Sequence, residues 1–140
     1  MNYYFTKANP NKWRLKDYLL KLGNDDPEWW SDVCKDVKIG DILFIGLAGA
    51  EAGIYAKATI KSSAYKQIPD KEFFINPGDI SERLGADVEA FHNLVKNPEQ
   101  ERDLKMIPEL YRVIRLLHIQ GGCYHLTDKE GKALNRLIRT

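Results

Sequence analysis

The stretch GDILFIGLAGAEAGIYAKATI, residues 40–60, constrains the fold more than any other part of the chain. Ile42 to Leu47 is apolar at every position but Gly46, the pattern of a strand covered on both faces. Ile54, Ala56, Ala58 and Ile60 alternate with Tyr55, Lys57 and Thr59, the pattern of a strand with one face on the core. The junction, Ala48-Gly49-Ala50-Glu51-Ala52-Gly53, is nearly all small. Such a junction is either a glycine-tolerant tight hairpin or a place where something must approach the backbone closely.

Around these strands the periodicities switch repeatedly. Tyr3 to Thr6 reads as a short aromatic strand ended by Asn9-Pro10. Leu15, Tyr18, Leu19 and Leu22 mark one face of a helix stopped by Gly23. The polar segment NDDPEWWS then delivers Trp29 and Trp30, and Ser31 is placed to cap a short helix with Val33, Cys34 and Val37 inside. A third strand is expected near residues 87–95. Asn97-Pro98-Glu99 has the capping side chain, proline and acid of a helix start. The apolar run 112–119 reads as a further strand. Thr127 and Glu130 form a capping box ahead of a stripe of Ala133, Leu134, Leu137 and Ile138. There is no repeat, linker or regular βαβ rhythm. The pattern predicts one α+β domain over residues 1–140, built on a strongly curved, mostly antiparallel sheet.

A chain of 140 residues can bury a core without metal or disulfide staples. Cys34 and Cys123 are too few for a disulfide framework, no signal-peptide h-region opens the chain, and no apolar run approaches the roughly 18 residues of a membrane span. A cytoplasmic domain without membrane association is the expectation. Net charge is only +1. Its distribution is uneven: residues 1–22 carry Lys7, Lys12, Arg14, Lys16 and Lys21 against Asp17, and Asp25, Asp26 and Glu28 follow. A local basic face with salt-sensitive affinity for nucleic acid accounts for this, and a solvated helix face does so equally well.

Signatures of catalysis are sparse. Gly46, Gly49 and Gly53 match neither a dinucleotide fingerprint nor a phosphate-binding loop, and no nucleophile elbow or H-E-x-x-H occurs. Cys123-x-His125 lacks a second ligand pair at zinc-finger spacing, so a structural role is expected and no metal or other cofactor. Pro69-Asp70 with Glu130-Gly131-Lys132 matches on paper a metal-dependent nuclease, but Glu130 already serves the capping box. No enzyme activity is expected.

What remains is aromatic and lies in loops. Trp13, Trp29 and Trp30 crowd the first quarter of the chain. Packing suits Trp29, whereas the three together suggest a pocket for a flat ligand, since nucleobases stack on such rings for about 1–3 kcal/mol each. Four segments, YYFTKANPNKW (3–13), EWWSD (28–32), GDILFIGLAGAEAGIYAKATI (40–60) and GGCYHLTDKE (121–130), resemble in order those of EVE domains. These belong to the PUA-like superfamily, beside the YTH domains that read methylated adenine in RNA.

The resemblance implies a PUA-like fold: a small twisted sheet, mostly antiparallel, forming an open barrel flanked by helices. It also implies a binding module for nucleic acid carrying a modified base, flipped into an aromatic-walled pocket. The expected partner is DNA with a modified cytosine or methyladenine, in preference to modified or structured RNA. In bacteria such domains stand alone or are fused to nuclease or NTPase modules of modification-dependent restriction. Carried over, Lys7 becomes a phosphate contact, with Lys12 and Arg14 beside it, and Asn9 a partner for the base edge. Trp30 becomes the first stacking wall, with Ser31 as its polar neighbour and Trp13 close by. Phe44 to Leu47, Gly46 included, become the pocket floor with Tyr55 near, and Phe73 or Phe74 the second wall. The small residues at 46–53 would then let the base reach the sheet backbone. Gly46 stands where many EVE domains carry an aromatic residue, and Gln120-Gly121 resembles the family's glutamine–glycine pair. The other readings are an RNA binder on the same fold and a small nuclease using Asp70 and Glu130.

Overall fold

A computed structural model describes residues 1–119 and 122–138. Strands β1 (Tyr3–Ala8), β2 (Trp29–Ser31), β3 (Ile42–Leu47), β4 (Gly53–Ile60), β5 (Tyr65–Gln67), β6 (Arg83–Asn93), β7 (Glu99–Gln100) and β8 (Cys123–Leu126) form one curled sheet. Helices α1 (Leu15–Leu22), α2 (Glu101–Leu104), α3 (Tyr111–Leu116) and α4 (Asp128–Leu137) flank it. The strand order is β2-β6-β4-β3-β1-β8, with β5 added to β6 and β7 to β4. Every pairing is antiparallel except β1 with β3. The mixed sheet closes into a half-barrel, as expected for a PUA-like fold.

The alternation along β1 and β3 explains why both are buried throughout their apolar length. Tyr3, Phe5, Ile42 and Phe44 point to a core shared with Leu104, Val113, Leu117 and Leu134, which α2, α3 and α4 supply. Tyr4, Leu43, Ile45 and Leu47 point to the opposite core, shared with Leu15 and Leu19 of α1 and with Trp30. A strand buried on both faces carries no polar side, which is why Ile42 to Leu47 is a continuous apolar run. Its start is pinned by Asp41, buried at 4% exposure, whose carboxylate accepts the Asn2 and Lys38 amides at 2.9 Å each.

The β4 strand departs from its simple alternation. Ile45 faces Ala56 but Gly46 faces Ile54, so Tyr55 is an extra residue in the ladder. This bulge moves Ile54 into the α3-side core while Tyr55, Ala56, Ala58 and Ile60 stay on the other.

Three expected elements differ. Residues 112–119 are not a strand: α3 occupies Tyr111–Leu116, with Val113, Leu116 and Leu117 buried at helical spacing. No helix follows Ser31, which instead ends β2 opposite Gly85 of β6; Val33 and Val37 are buried from turns. The helix expected at Asn97 begins at Glu101, because Glu99 and Gln100 first pair with Gly53 and Ile54. Gln100 and Asp103 then form the capping box. The box at Thr127 and Glu130 is present as expected.

The cysteines also depart from expectation. Cys34, in the turn after β2, is disulfide-bonded to Cys123 at the start of β8, across 89 residues. No helix among the described residues is long and apolar enough to cross a membrane.

Candidate nucleic-acid interface

A cleft of about 1850 Å³ opens between the β1–α1 connection, β2 and the loop 67–74. Its aromatic side is a cluster rather than two facing plates. Trp13 lies 5.1 Å from Tyr18, 5.8 Å from Trp30 and 6.4 Å from Phe73, ring centre to ring centre. Tyr18 reaches both Trp30 and Phe73, at 5.7 and 5.4 Å. Most of these contacts are edge-on, the favoured geometry for aromatic packing.

The cluster follows from local structure. Asn9 folds the end of β1 into a turn: its carbonyl accepts the Lys12 and Trp13 amides, and its Oδ1 accepts the Asn11 amide at 3.0 Å. That turn sends Trp13 toward α1, where Tyr18 stands one helical turn on. Arg14 anchors the facing loop, its amide and guanidinium donating to the carbonyls of Phe73 and Glu72 at 2.9 Å. Trp13 and Phe74 make an isolated bridge.

The expected site residues separate into two groups. Lys7, Asn9, Lys12, Trp13, Trp30, Ser31, Phe73 and Phe74 line the cleft. Arg14, Gly46, Leu47 and Tyr55 do not. Tyr55 is 1% exposed, and its hydroxyl donates to the Glu51 carbonyl at 2.7 Å. Leu47 packs in the α1-side core. Gly46 is small because of the protein itself: a Cβ there would stand 2.7 Å from the Phe5 ring and 3.0 Å from Leu117. At Gly53 an added Cβ would meet the Glu99 carbonyl, and Gly49 holds a left-handed φ of 94° against Pro10. The close approach expected of a base is thus made by Phe5, Glu99 and Pro10. Only Ala48 and Gly49 of that junction face the cleft. Gln120 and Gly121 lie outside the described residues.

Among the lining residues the roles shift. Trp30 is 7% exposed, wedged among Trp13, Tyr18 and Phe91, so it supports the cluster. Trp13 and Phe73 are half-buried and offer accessible ring surface. Trp29 packs over Gly85 and beside Tyr65, as its packing role requires, yet it also lines the cleft. The Lys7 ammonium donates to the carbonyls of Leu116 and Ile119 at the end of α3, and its burial lowers its pKa. It is an α3 cap before it is a phosphate contact. Tyr18, whose burial raises its pKa, and Arg83 were hidden from sequence reading, Tyr18 because it belongs equally to the apolar stripe of α1. Arg83 pairs with Asp32 at 3.2 Å, donates to the Asp79 carbonyl at 3.1 Å and lies 5.6 Å over the Phe74 ring.

The basic face expected from residues 1–22 is largely neutralised. Lys16 pairs with Glu51 and Lys21 with Glu72. Lys12 is exposed and makes no ion pair with the described residues. Around the cleft Asp25, Asp26, Glu28, Asp32, Asp70, Glu72, Asp87 and Glu89 outnumber Lys7, Lys12, Lys21, Lys61 and Arg83. Trp29 Nε1 and Arg83 Nε, both on lining residues, are buried without a hydrogen-bond partner among the described residues. Buried donors are nearly always satisfied, and these two are exceptions that sit beneath the cleft surface, shielded from solvent. Glu130 does not line it: its carboxylate accepts the Thr127 amide and faces Arg112 at 3.4 Å, away from Asp70.

No protein-family model and no curated protein matches the chain. Solved structures do. A protein from Pseudomonas putida is 18% identical, with a TM-score of 0.60, over 96% of this chain and 98% of that one. The DUF55 domain of human thymocyte nuclear protein 1 is 19% identical, with a TM-score of 0.60, over 96% and 97%. Human THYN1 in complex with DNA containing 5-methylcytosine is 14% identical, with a TM-score of 0.58, over 98% and 97%. These likenesses span both chains almost end to end, so the chain has the fold of these proteins.

Proposed function

We propose that the chain is a nucleic-acid-binding module, without catalysis of its own, that takes one modified base of DNA into this cleft. The observation that carries the reading is the clustering of Trp13, Tyr18 and Phe73 along one cleft, with accessible ring surface on Trp13 and Phe73. Stacking on such rings contributes roughly 1–3 kcal/mol per base, enough with a few hydrogen bonds to offset flipping. The fold neighbour that holds 5-methylcytosine DNA supports the same reading. The protein works in the cytoplasm, and any cleavage or translocation belongs to a separate module.

The acidic lining narrows the ligand. Carboxylates accept from the exocyclic amino group of cytosine or adenine and repel an anionic base. The cleft therefore favours an amino-bearing base with a neutral modification and rejects 5-carboxylcytosine.

The test is a fluorescence-anisotropy panel at fixed moderate salt. One sequence, as DNA and as RNA, carries cytosine, 5-methyl-, 5-hydroxymethyl-, 5-formyl- or 5-carboxylcytosine, adenine or 6-methyladenine at one position. A preference of about tenfold, or about 1.4 kcal/mol, for one neutral modified base is expected, and Trp13→Ala should erase it. Uniform affinity across the panel, or strongest binding of 5-carboxylcytosine, overturns the reading. Preference for the RNA series would move the partner to RNA on the same site.

A further inference from the structure

Away from the lining of the cleft, the fold gathers a second set of chemically capable side chains. Cys123 and His125 are two residues apart on β8 and so share one face of the strand. Cys34 and Asp36 are two residues apart in the turn after β2. Either pair alone is half a ligand set. The fold brings the halves together, with the cysteine Cα atoms 5.3 Å apart and their sulfurs bonded. The ligating atoms of Cys34, Asp36 and His125 all lie within 4.8 Å of one another, and His125 Nε2 is 3.2 Å from Asp36 Oδ1. Tyr4 supports both partners: its ring lies 4.8 Å from the His125 ring, and its hydroxyl donates to the Asp36 carbonyl at 3.4 Å. Burial first, and then the charges of Asp36 and Asp41, raise the pKa of that hydroxyl.

We propose that the reduced chain carries a zinc site here, with the Cys34 thiolate, His125 Nε2 and the Asp36 carboxylate as three ligands and the Cys123 thiolate, which lies outside that group while bonded to Cys34, turning in as the fourth. The donor set suits a borderline-soft, tetrahedral ion, and sulfur ligands disfavour magnesium and calcium. Nitrogen and oxygen donors of a zinc tetrahedron stand about 3.4 Å apart, close to the His125–Asp36 spacing. The sulfurs need only separate to about 3.8 Å once their bond is cut. Binding converts two thiols to two thiolates and releases two protons, with no electron transfer. The bonded form arises by exchange with a low-molecular-weight disulfide, which accepts two electrons and two protons and leaves as two thiols. One pair of sulfurs cannot serve both forms, so zinc and the disulfide exclude each other. In the reducing cytoplasm the dithiol is the prevailing form.

The experiment uses the full chain, once reduced with a phosphine without oxygen and once oxidised, titrated with Co²⁺ and then Zn²⁺. The reduced chain should take up one Co²⁺ with sulfur-to-cobalt charge-transfer and tetrahedral d–d bands, and Zn²⁺ should bleach both. The oxidised chain should show neither band. Asp36→Asn and His125→Gln leave both sulfurs in place. Each should lower Zn²⁺ affinity by more than the roughly tenfold that losing a ligand's hydrogen-bond partner costs. A reduced chain that gives no charge-transfer band and gains no circular-dichroism structure on adding Zn²⁺ overturns the proposal. So does an affinity that both variants leave unchanged.

Discussion

Gly46 shows what a small residue is for in this sheet. Its missing side chain makes room for the Phe5 ring and for Leu117, so Gly46→Ala overpacks the α3-side core. A loss of about 1–3 kcal/mol is expected in urea denaturation, and an unchanged midpoint would show that Phe5 moves aside freely. The sequence displays where side chains are lacking between 46 and 53, but not which neighbour fills the space. A flipped base and a phenyl ring leave the same signature in one dimension. Trp30 carries the same lesson in reverse. Its loop position suggests an exposed wall, yet three aromatic rings and α1 close over it. Trp30→Ala should cost about 3–5 kcal/mol of stability, whereas Trp13→Ala should cost less and act on base preference. Equal stability losses in the two variants would refute that division of labour.

Elements were legible where one periodicity held over their full length. The α1 helix, β3 and the capped start of α4 stand where pattern and cap residues place them. The short apolar run at 112–119 serves strand and helix alike, and only packing of Val113, Leu116 and Leu117 under the sheet selects helix. The bulge at Tyr55 was invisible because it changes pairing, not composition. The longest strand, β6, carries a further consequence. His92 sits opposite Lys57, and burial, with the Lys57 charge second and Asp26 opposing, holds its imidazole below the ordinary value of 6.5. As pH falls through 6.5 the unfolded chain takes up this proton before the folded one, so the associated stability is full above that value and lost below it. The urea midpoint should therefore fall more between about pH 8 and pH 5.5 in the parent than in His92→Gln. Parallel pH profiles would exclude this histidine as a contributor.

For the whole molecule, the charge pattern separates this protein from binders that depend on phosphate attraction. Lysines 16 and 21 are paired, Lys7 is spent on α3, and the cleft is ringed by carboxylates. Few phosphates can then be neutralised, and each contributes about −0.9 to the slope of log K against log salt. A slope of about −1 to −2 is expected on duplex DNA, and Lys12→Ala should remove about one unit of it. A steep slope that survives Lys12→Ala would place the phosphates on another face. The two cysteines show the same limit of sequence reading at this scale. Cys34-x-Asp36 and Cys123-x-His125 are unremarkable separately, and only the strand order makes them neighbours.

That order also sets a timetable. The β1 strand lies inside the sheet, between β3 and β8. A ribosome delivers β1 first, its parallel partner some forty residues later, and its other neighbour only when Cys123 to Leu126 emerge. Until then one edge of a strand that opens with three aromatic residues has no mate, and the helix that covers Tyr3 has not been made. The whole stretch between β3 and β8 is thus synthesised with β1 half-paired, so the nascent chain is a form exposed to aggregation and to chaperones.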